Sequence, residues 1–196
     1  MAVGGRRSVR VAHSRRKRVP VCNIFGDGIK KYNNKVINFN KIICLREKNL
    51  LGTAGALKNL KKLNVQDFVL MNGDTIFDIN LKLFTDSLKK GKIGTIALTK
   101  NKNQKSEKLS NLISKKNIIY FKKNSSMMNA GVYYFKKSIF NYIKNNSSLE
   151  DELLPKLIEK KKINGKIFKD FFIDIGSKHY LKNGAIKLKN QFKRPA

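Results

Sequence analysis

Short apolar runs alternate with longer, lysine-studded stretches from residue 35 to the end of the chain. "KVINFNKIICLRE" (35–47) is rich in β-branched residues and predicts a strand, and "GTAGALKNLKKL" (52–63) predicts a helix with glycine at its mouth. "DFVLMNGD" (67–74) predicts a buried strand, and 78–91 a helix with Asp78 near its start and Gly91 just past its end. Residues 92–100 predict a strand buried on both faces, followed by strands at 117–123 and 129–137 and a short helix over "SIFNYIKN". Residues 148–162 read as a helix with Ser148 as N-cap, Glu150, Asp151 and Glu152 in the first turn and lysines in the last, and Pro155 bends or restarts it. Residues 166–177 give one or two short strands ending in Asp174-Ile175-Gly176, and a basic helix closes the chain. Strands alternating with helices mean an α/β fold with a largely parallel sheet.

Length and charge sharpen this. The 196 residues fit one domain, and Lys or Asn interrupts every apolar run, which excludes a transmembrane span. Lys and Arg number 43 against 13 Asp and Glu, a formal charge of +30. Such a balance suits a polyanion, and nonspecific nucleic-acid binding at low salt is expected. The lysines are nevertheless spread along the chain, without the spaced aromatics of an RNA-binding sheet. Cys22 and Cys44 form no metal spacing and read as buried thiols in a reducing compartment, the cytoplasm. His13 and His179 are the two histidines, too few and too badly placed for a His-centred triad or a multi-His metal site.

Composition changes abruptly near residue 22. Residues 1–22 hold six arginines, one lysine and no acid. The segment reads as a transit peptide, a basic tail or, the favoured alternative, a wrong start not native to the domain; it is expected to be a disordered leader, with residues 23–196 forming the domain.

Three segments place small or acidic residues after an apolar run: Leu51-Gly52-Thr53-Ala54-Gly55-Ala56-Leu57, Asn72-Gly73-Asp74, and Phe172-Ile173-Asp174-Ile175-Gly176. Glycines at a helix start let a ligand approach the backbone and offer N–H groups to an anion. Asp74 and Asp174 each read as a turn or cap residue alone; if their strands share a sheet, they converge on one divalent cation, the number of carboxylates that magnesium takes when waters and phosphates complete its shell.

With these segments in this order, together with "MNAGVYYF", "SLEDELLPKL" and "IFGDGIKKYNNKVI", residues 25–182 resemble the sugar-phosphate nucleotidyltransferases. "NGDTIFDINL" is most similar to the D-glycero-D-manno-heptose 1-phosphate guanylyltransferases, with mannose 1-phosphate guanylyltransferases as near relatives. The resemblance implies a GT-A-like, Rossmann-like mixed sheet, mainly parallel and flanked by helices. It implies an NTP, GTP by preference, and a sugar 1-phosphate as substrates, Mg²⁺ as cofactor, and a place in nucleotide-sugar supply for polysaccharide. Carried over residue by residue, it makes Asp74 and Asp174 the catalytic metal ligands and gives Gly52, Thr53, Gly55, Asn72 and Gly73 to the nucleotide. Asn129, Gly131 and Lys123 fall to the sugar phosphate.

The chain also departs from that family. The opening "GGxGTRL" loop and the later "PKP" are absent; Gly4-Gly5-Arg6-Arg7 follows no apolar strand, so neither Arg6 nor Arg7 receives a catalytic role. Where the family often has Phe-x-Glu-Lys, this chain reads "YFKKNSS", leaving Lys122 or Lys123 for the lysine's place. The expectation is therefore an N-terminally truncated domain with weak turnover or none. The strand at 67–72 would be an open edge, available to a second copy of the chain. Two rivals remain: a non-catalytic remnant that binds a nucleotide or a partner, and a basic nucleic-acid-binding protein.

Overall fold

Alternate residues of the apolar runs feed two different cores, which is why the runs are unbroken. In the strand Phe68–Asn72, Phe68 and Leu70 join one cluster while Val69 and Met71 join another. Ile96 and Leu98 likewise face the first cluster, and Ala97 the second. A sheet with apolar side chains on both faces must be covered on both, and helices do this.

The computed structural model describes residues 9–13, 21–23, 31–37, 40–45, 49–100, 112–115, 118–121 and 125–175, with 184 and 188 besides. Its strands are β1 (Val9–His13), β2 (Val21–Asn23), β3 (Val36–Ile37), β4 (Asn40–Lys41), β5 (Ile43–Leu45), β6 (Phe68–Asn72), β7 (Thr75–Phe77), β8 (Gly94–Lys100), β9 (Leu112–Lys115), β10 (Ile118–Phe121), β11 (Met127–Phe135), β12 (Ile163–Phe168) and β13 (Phe172–Asp174). Helix α1 (Gly52–Gly55) runs on as a 3-10 helix (Ala56–Leu63); α2 is Leu81–Asp86; α3 (Leu154–Glu159) follows a π-helical turn (Leu149–Leu153).

The main sheet has the order β5-β2-β1-β6-β11-β8-β12-β10-β9, with β7–β13 and β3–β4 as separate ribbons. Leu57 and Leu60, and Leu149, Leu153, Leu154 and Leu157, pack on one face of the sheet; Phe84 of α2 packs on the other, edge-on to Phe168 at 5.9 Å. The fold is thus α/β with a mixed sheet between helices, as expected.

Several expectations change. The sheet is not mainly parallel: among the described strands only β8–β12 and β2–β5 pair in parallel, because β11 enters between β6 and β8 and runs antiparallel to both. Nor is the strand at 67–72 an open edge, since β1 pairs with it in antiparallel register from Val9↔Asn72 to His13↔Phe68. Residues 9–13 and 21–22 of the basic leader, expected to be disordered, therefore stand in the sheet, and the boundary placed at residue 22 falls within β2. The strand expected over 35–47 is three short pieces. The helix expected over 78–91, with Asp78 near its start, is shorter, Leu81–Asp86; Asn80 caps it, its side chain accepting the Leu83 N–H at 3.0 Å. Ser148 does cap its helix, accepting the Asp151 N–H at 3.1 Å, while Glu152 accepts the Ser148 N–H at 3.0 Å. Cys44, expected buried, is half-buried. Most of the basic helix expected at the end lies outside the described residues. No helix among them is long and apolar enough to cross a membrane.

Candidate active site

Strand β6 ends at Asn72, and the turn Gly73-Asp74 delivers the chain directly into β7. Polar turn chemistry therefore explains where the strand stops, but not where Asp74 ends up. Strand β7 leaves the main sheet and pairs antiparallel with β13, in the register Phe172↔Phe77, Ile173↔Ile76 and Asp174↔Thr75. The ladder continues one step further, where the Ile175 N–H donates to the carbonyl of Asp74 at 2.8 Å. Phe77 anchors this ribbon on the sheet, edge-on to Phe172 at 5.4 Å and to Phe168 at 6.1 Å. Asp74 and Asp174 are thereby held at neighbouring positions of the ribbon, Asp174 opposite Thr75 and Asp74 opposite Ile175, both half-buried.

The third side comes from a bulge in β11. Its register against β8 shifts between Asn129↔Leu98 and Tyr133↔Ile96, so residues 130–132 stand opposite the single residue Ala97. Gly131 takes φ +68°, and a Cβ there would lie 2.7 Å from Asn72 Nδ2. Glycine is required on both counts. Asn129 is buried, its Oδ1 accepting the Gly131 N–H at 3.0 Å and its Nδ2 donating to the Tyr133 hydroxyl at 2.6 Å. That hydroxyl donates to Glu150 Oε1 at 3.3 Å.

The result is one open cleft of about 380 Å³, mouth included, lined by Asn72, Asp74, Thr75, Asn129, Gly131, Glu150 and Asp174, with Met128, Ala130 and Phe172 as its apolar part. Five of the residues singled out in the sequence meet here: Asn72, Asp74, Asn129, Gly131 and Asp174. Gly73 stands in the turn between two of them.

The Gly-rich segment is placed differently. The Ala54 and Gly55 N–H groups both donate to the Ser147 carbonyl, at 2.9 and 3.2 Å, and Thr53 Oγ1 accepts the Leu149 N–H at 2.8 Å. Gly52, at φ +73°, is packed so closely on Ser147 that a Cβ would overlap its carbonyl. Gly52, Thr53 and Gly55 thus brace the turn that presents Glu150 rather than line the cleft themselves. Lys122, Lys123, Arg6, Arg7 and Gly176 lie outside the described residues.

Glu150 is the residue the sequence pattern missed. Its position in an acidic first turn explains it as a helix-dipole partner, and no periodicity points it toward Asp74. Among the described residues, no three His, Cys, Asp or Glu side chains make an all-protein metal cage. The two aspartates that line the cleft, Asp74 and Asp174, suit an ion that keeps several waters and takes phosphate oxygens, which is the habit of magnesium.

A mixed sheet with a carboxylate-lined cleft at the end of its central strand is an arrangement suited to binding a metal–nucleotide complex. The nucleotidyl transferase family profile matches residues 16–191, and the chain belongs to that family. Residues of the chain are 35% identical, over 136 positions, to a D-glycero-alpha-D-manno-heptose 1-phosphate guanylyltransferase of Campylobacter jejuni subsp. jejuni serotype O:2, covering 66% of this chain and 60% of that protein. They are 29% identical over 154 positions to the mannose-1-phosphate guanylyltransferase catalytic subunit beta of Danio rerio, covering 69% of this chain and 41% of that one. The chain thus spans about 60% of the length of its bacterial relative. Among solved structures, HddC from Yersinia pseudotuberculosis superposes with a TM-score of 0.66 at 23% identity, covering 87% of this chain and 78% of that one. That likeness supports the fold.

Proposed function

We propose that this chain transfers a nucleotidyl group from an NTP, GTP by preference, to a sugar 1-phosphate of the heptose or mannose type, releasing pyrophosphate. The observation that carries the reading is the meeting of Asp74 and Asp174 on one cleft with Asn129 and Gly131. The preference for GTP and for these sugars rests on the guanylyltransferase names of the relatives.

In this reading Asp74 and Asp174 would hold Mg²⁺, which would supply positive charge to the α-phosphate while the sugar phosphate oxygen displaces pyrophosphate. The cleft's own work is positioning. Asn129 and Gly131 form the wall against which the sugar rests, and Asn72 packs closely on Gly131 at the bulge that carries them. Gly52, Thr53 and Gly55, assigned to the nucleotide by resemblance, act in this reading only indirectly, by bracing the turn that presents Glu150. Among the described residues the lining has three carboxylates and no Lys or Arg, so phosphate charge falls to the metal and to cations outside that lining, with Lys123 assigned to the sugar phosphate. Slow turnover, or nucleotide binding without turnover, follows if those cations do not reach the site.

Thermal unfolding with Mg²⁺ and GTP, CTP, UTP, dTTP or ATP in turn tests this. A nucleotide at a hundred times its dissociation constant adds about 2.7 kcal/mol of stability. The expected result is a gain with GTP that disappears in Asp74→Ala. No gain with any of the five nucleotides refutes the reading.

A further inference from the structure

The hydroxyl of Tyr133 has no packing reason to exist. Its ring is fully buried, stacked on Phe135 with centroids 5.8 Å apart within the larger apolar cluster, a place where phenylalanine would serve equally well. A buried hydroxyl costs free energy unless it is hydrogen-bonded. Here it is bonded between two residues that line the cleft, accepting from Asn129 Nδ2 at 2.6 Å and donating to Glu150 Oε1 at 3.3 Å.

The direction of the chain is forced. The Gly131 N–H can only donate, so Asn129 must turn its carbonyl oxygen to Gly131 and its NH₂ to the phenol. The phenol then donates its proton to Glu150 Oε1 at 3.3 Å. Each link polarises the next, and the order Asn129 to Tyr133 to Glu150 has a single sense.

We propose that Tyr133 is a positioning residue, which locks Asn129 as donor and Glu150 as acceptor for neighbouring hydroxyl groups of the polyhydroxylated acceptor. This rests on the sugar-phosphate reading above and gives the cleft its selectivity for the acceptor. It also gives Glu150 a role distinct from that of the metal-facing Asp74 and Asp174. The bulge at residues 130–132 brings Asn129 and Tyr133 into line for the chain.

The test is calorimetric titration of mannose 1-phosphate, and separately of GTP, into the whole chain with Mg²⁺, for wild type and for Tyr133→Phe, Glu150→Gln and Glu150→Ala. Tyr133→Phe and Glu150→Ala should weaken mannose 1-phosphate about tenfold, the factor that about 1.4 kcal/mol represents. Glu150→Gln keeps an acceptor for the phenol and should recover most of that loss. GTP affinity should change by less than about twofold in all three, because the chain lies on the acceptor side. Equal weakening of both ligands marks a merely structural role and overturns the proposal, as does mannose 1-phosphate binding to Tyr133→Phe at wild-type strength. Should Tyr133→Phe fail to fold, the contrast between Glu150→Gln and Glu150→Ala decides alone. A wild-type chain that binds GTP but no mannose 1-phosphate overturns the proposal and leaves the nucleotide reading standing; binding of neither overturns both.

Discussion

Replacing Gly131 by alanine would damage the molecule in two separable ways. The backbone there stands at φ +68°, a conformation that costs an L-residue about 1–2 kcal/mol. The new methyl would also lie 2.7 Å from Nδ2, 2.9 Å from Cγ and 3.1 Å from Cβ of Asn72. Rotating the Asn72 amide moves Nδ2 away but leaves Cγ and Cβ where they are, and overpacking of this kind costs about 1–3 kcal/mol. Together the expected loss is about 3 kcal/mol, or about 6–12 °C in melting temperature for a domain of this size. Urea unfolding of wild type, Gly131→Ala, Asn72→Ala and the double variant separates the parts. Removing the Asn72 amide should recover about 1 kcal/mol of the alanine's cost, a coupling that a double-mutant cycle resolves. A Gly131→Ala variant within about 0.5 kcal/mol of wild type, or one equally damaged with and without the Asn72 amide, would refute the reasoning.

Three further outcomes are expected. Gly52→Ala should cost more than Gly131→Ala, above about 3 kcal/mol, because the methyl meets the Ser147 backbone at φ +73° and loosens the carbonyl that holds Ala54 and Gly55; urea midpoints at unchanged slope check this. Asn80→Ala removes the acceptor of the Leu83 N–H and should cost about 1 kcal/mol, read from the same unfolding curves. Burial pushes the Cys44 thiol up, so in a Cys22→Ser background its reaction with iodoacetamide should lag behind a small free thiol and catch up only at higher pH. The unfolded chain ionises this thiol first, so its influence on stability is nil below the ordinary thiol range and turns destabilising as pH rises through it.

The strands were legible wherever β-branched residues crowded together, as in 92–100, and the cap at Ser148 was legible because its side chain acts within four residues. Strand direction was not. Whether β11 runs with or against β6 depends on how the chain returns to the sheet, and periodicity carries no sign for that. Asp74 and Asp174 were readable because each follows an apolar run, and the ribbon did bring both to one cleft. Glu150 was unreadable for a specific reason: residues 149–153 form a π-helical turn, where the usual helical angle between successive side chains does not hold. The Gly-rich segment was read as a ligand cradle because its N–H groups looked unpaired in sequence; a carbonyl about ninety residues away takes two of them.

The ribbon that joins β7 to β13 also says when the cleft comes into being. Its two carboxylates are separated by about a hundred residues, and closing a loop of that length costs about 4 kcal/mol before any contact repays it. Such a contact forms late, after the local hairpin β9–β10 and the packing of α3 have shortened the effective loop. A chain still emerging from synthesis has Asp74 about a hundred residues before it has Asp174, so the two carboxylates cannot share a cleft until residue 174 has been made. Under the proposed function, affinity for Mg²⁺–nucleotide would appear late in refolding, after the bulk of the secondary structure, and its onset would time the closing of the cleft.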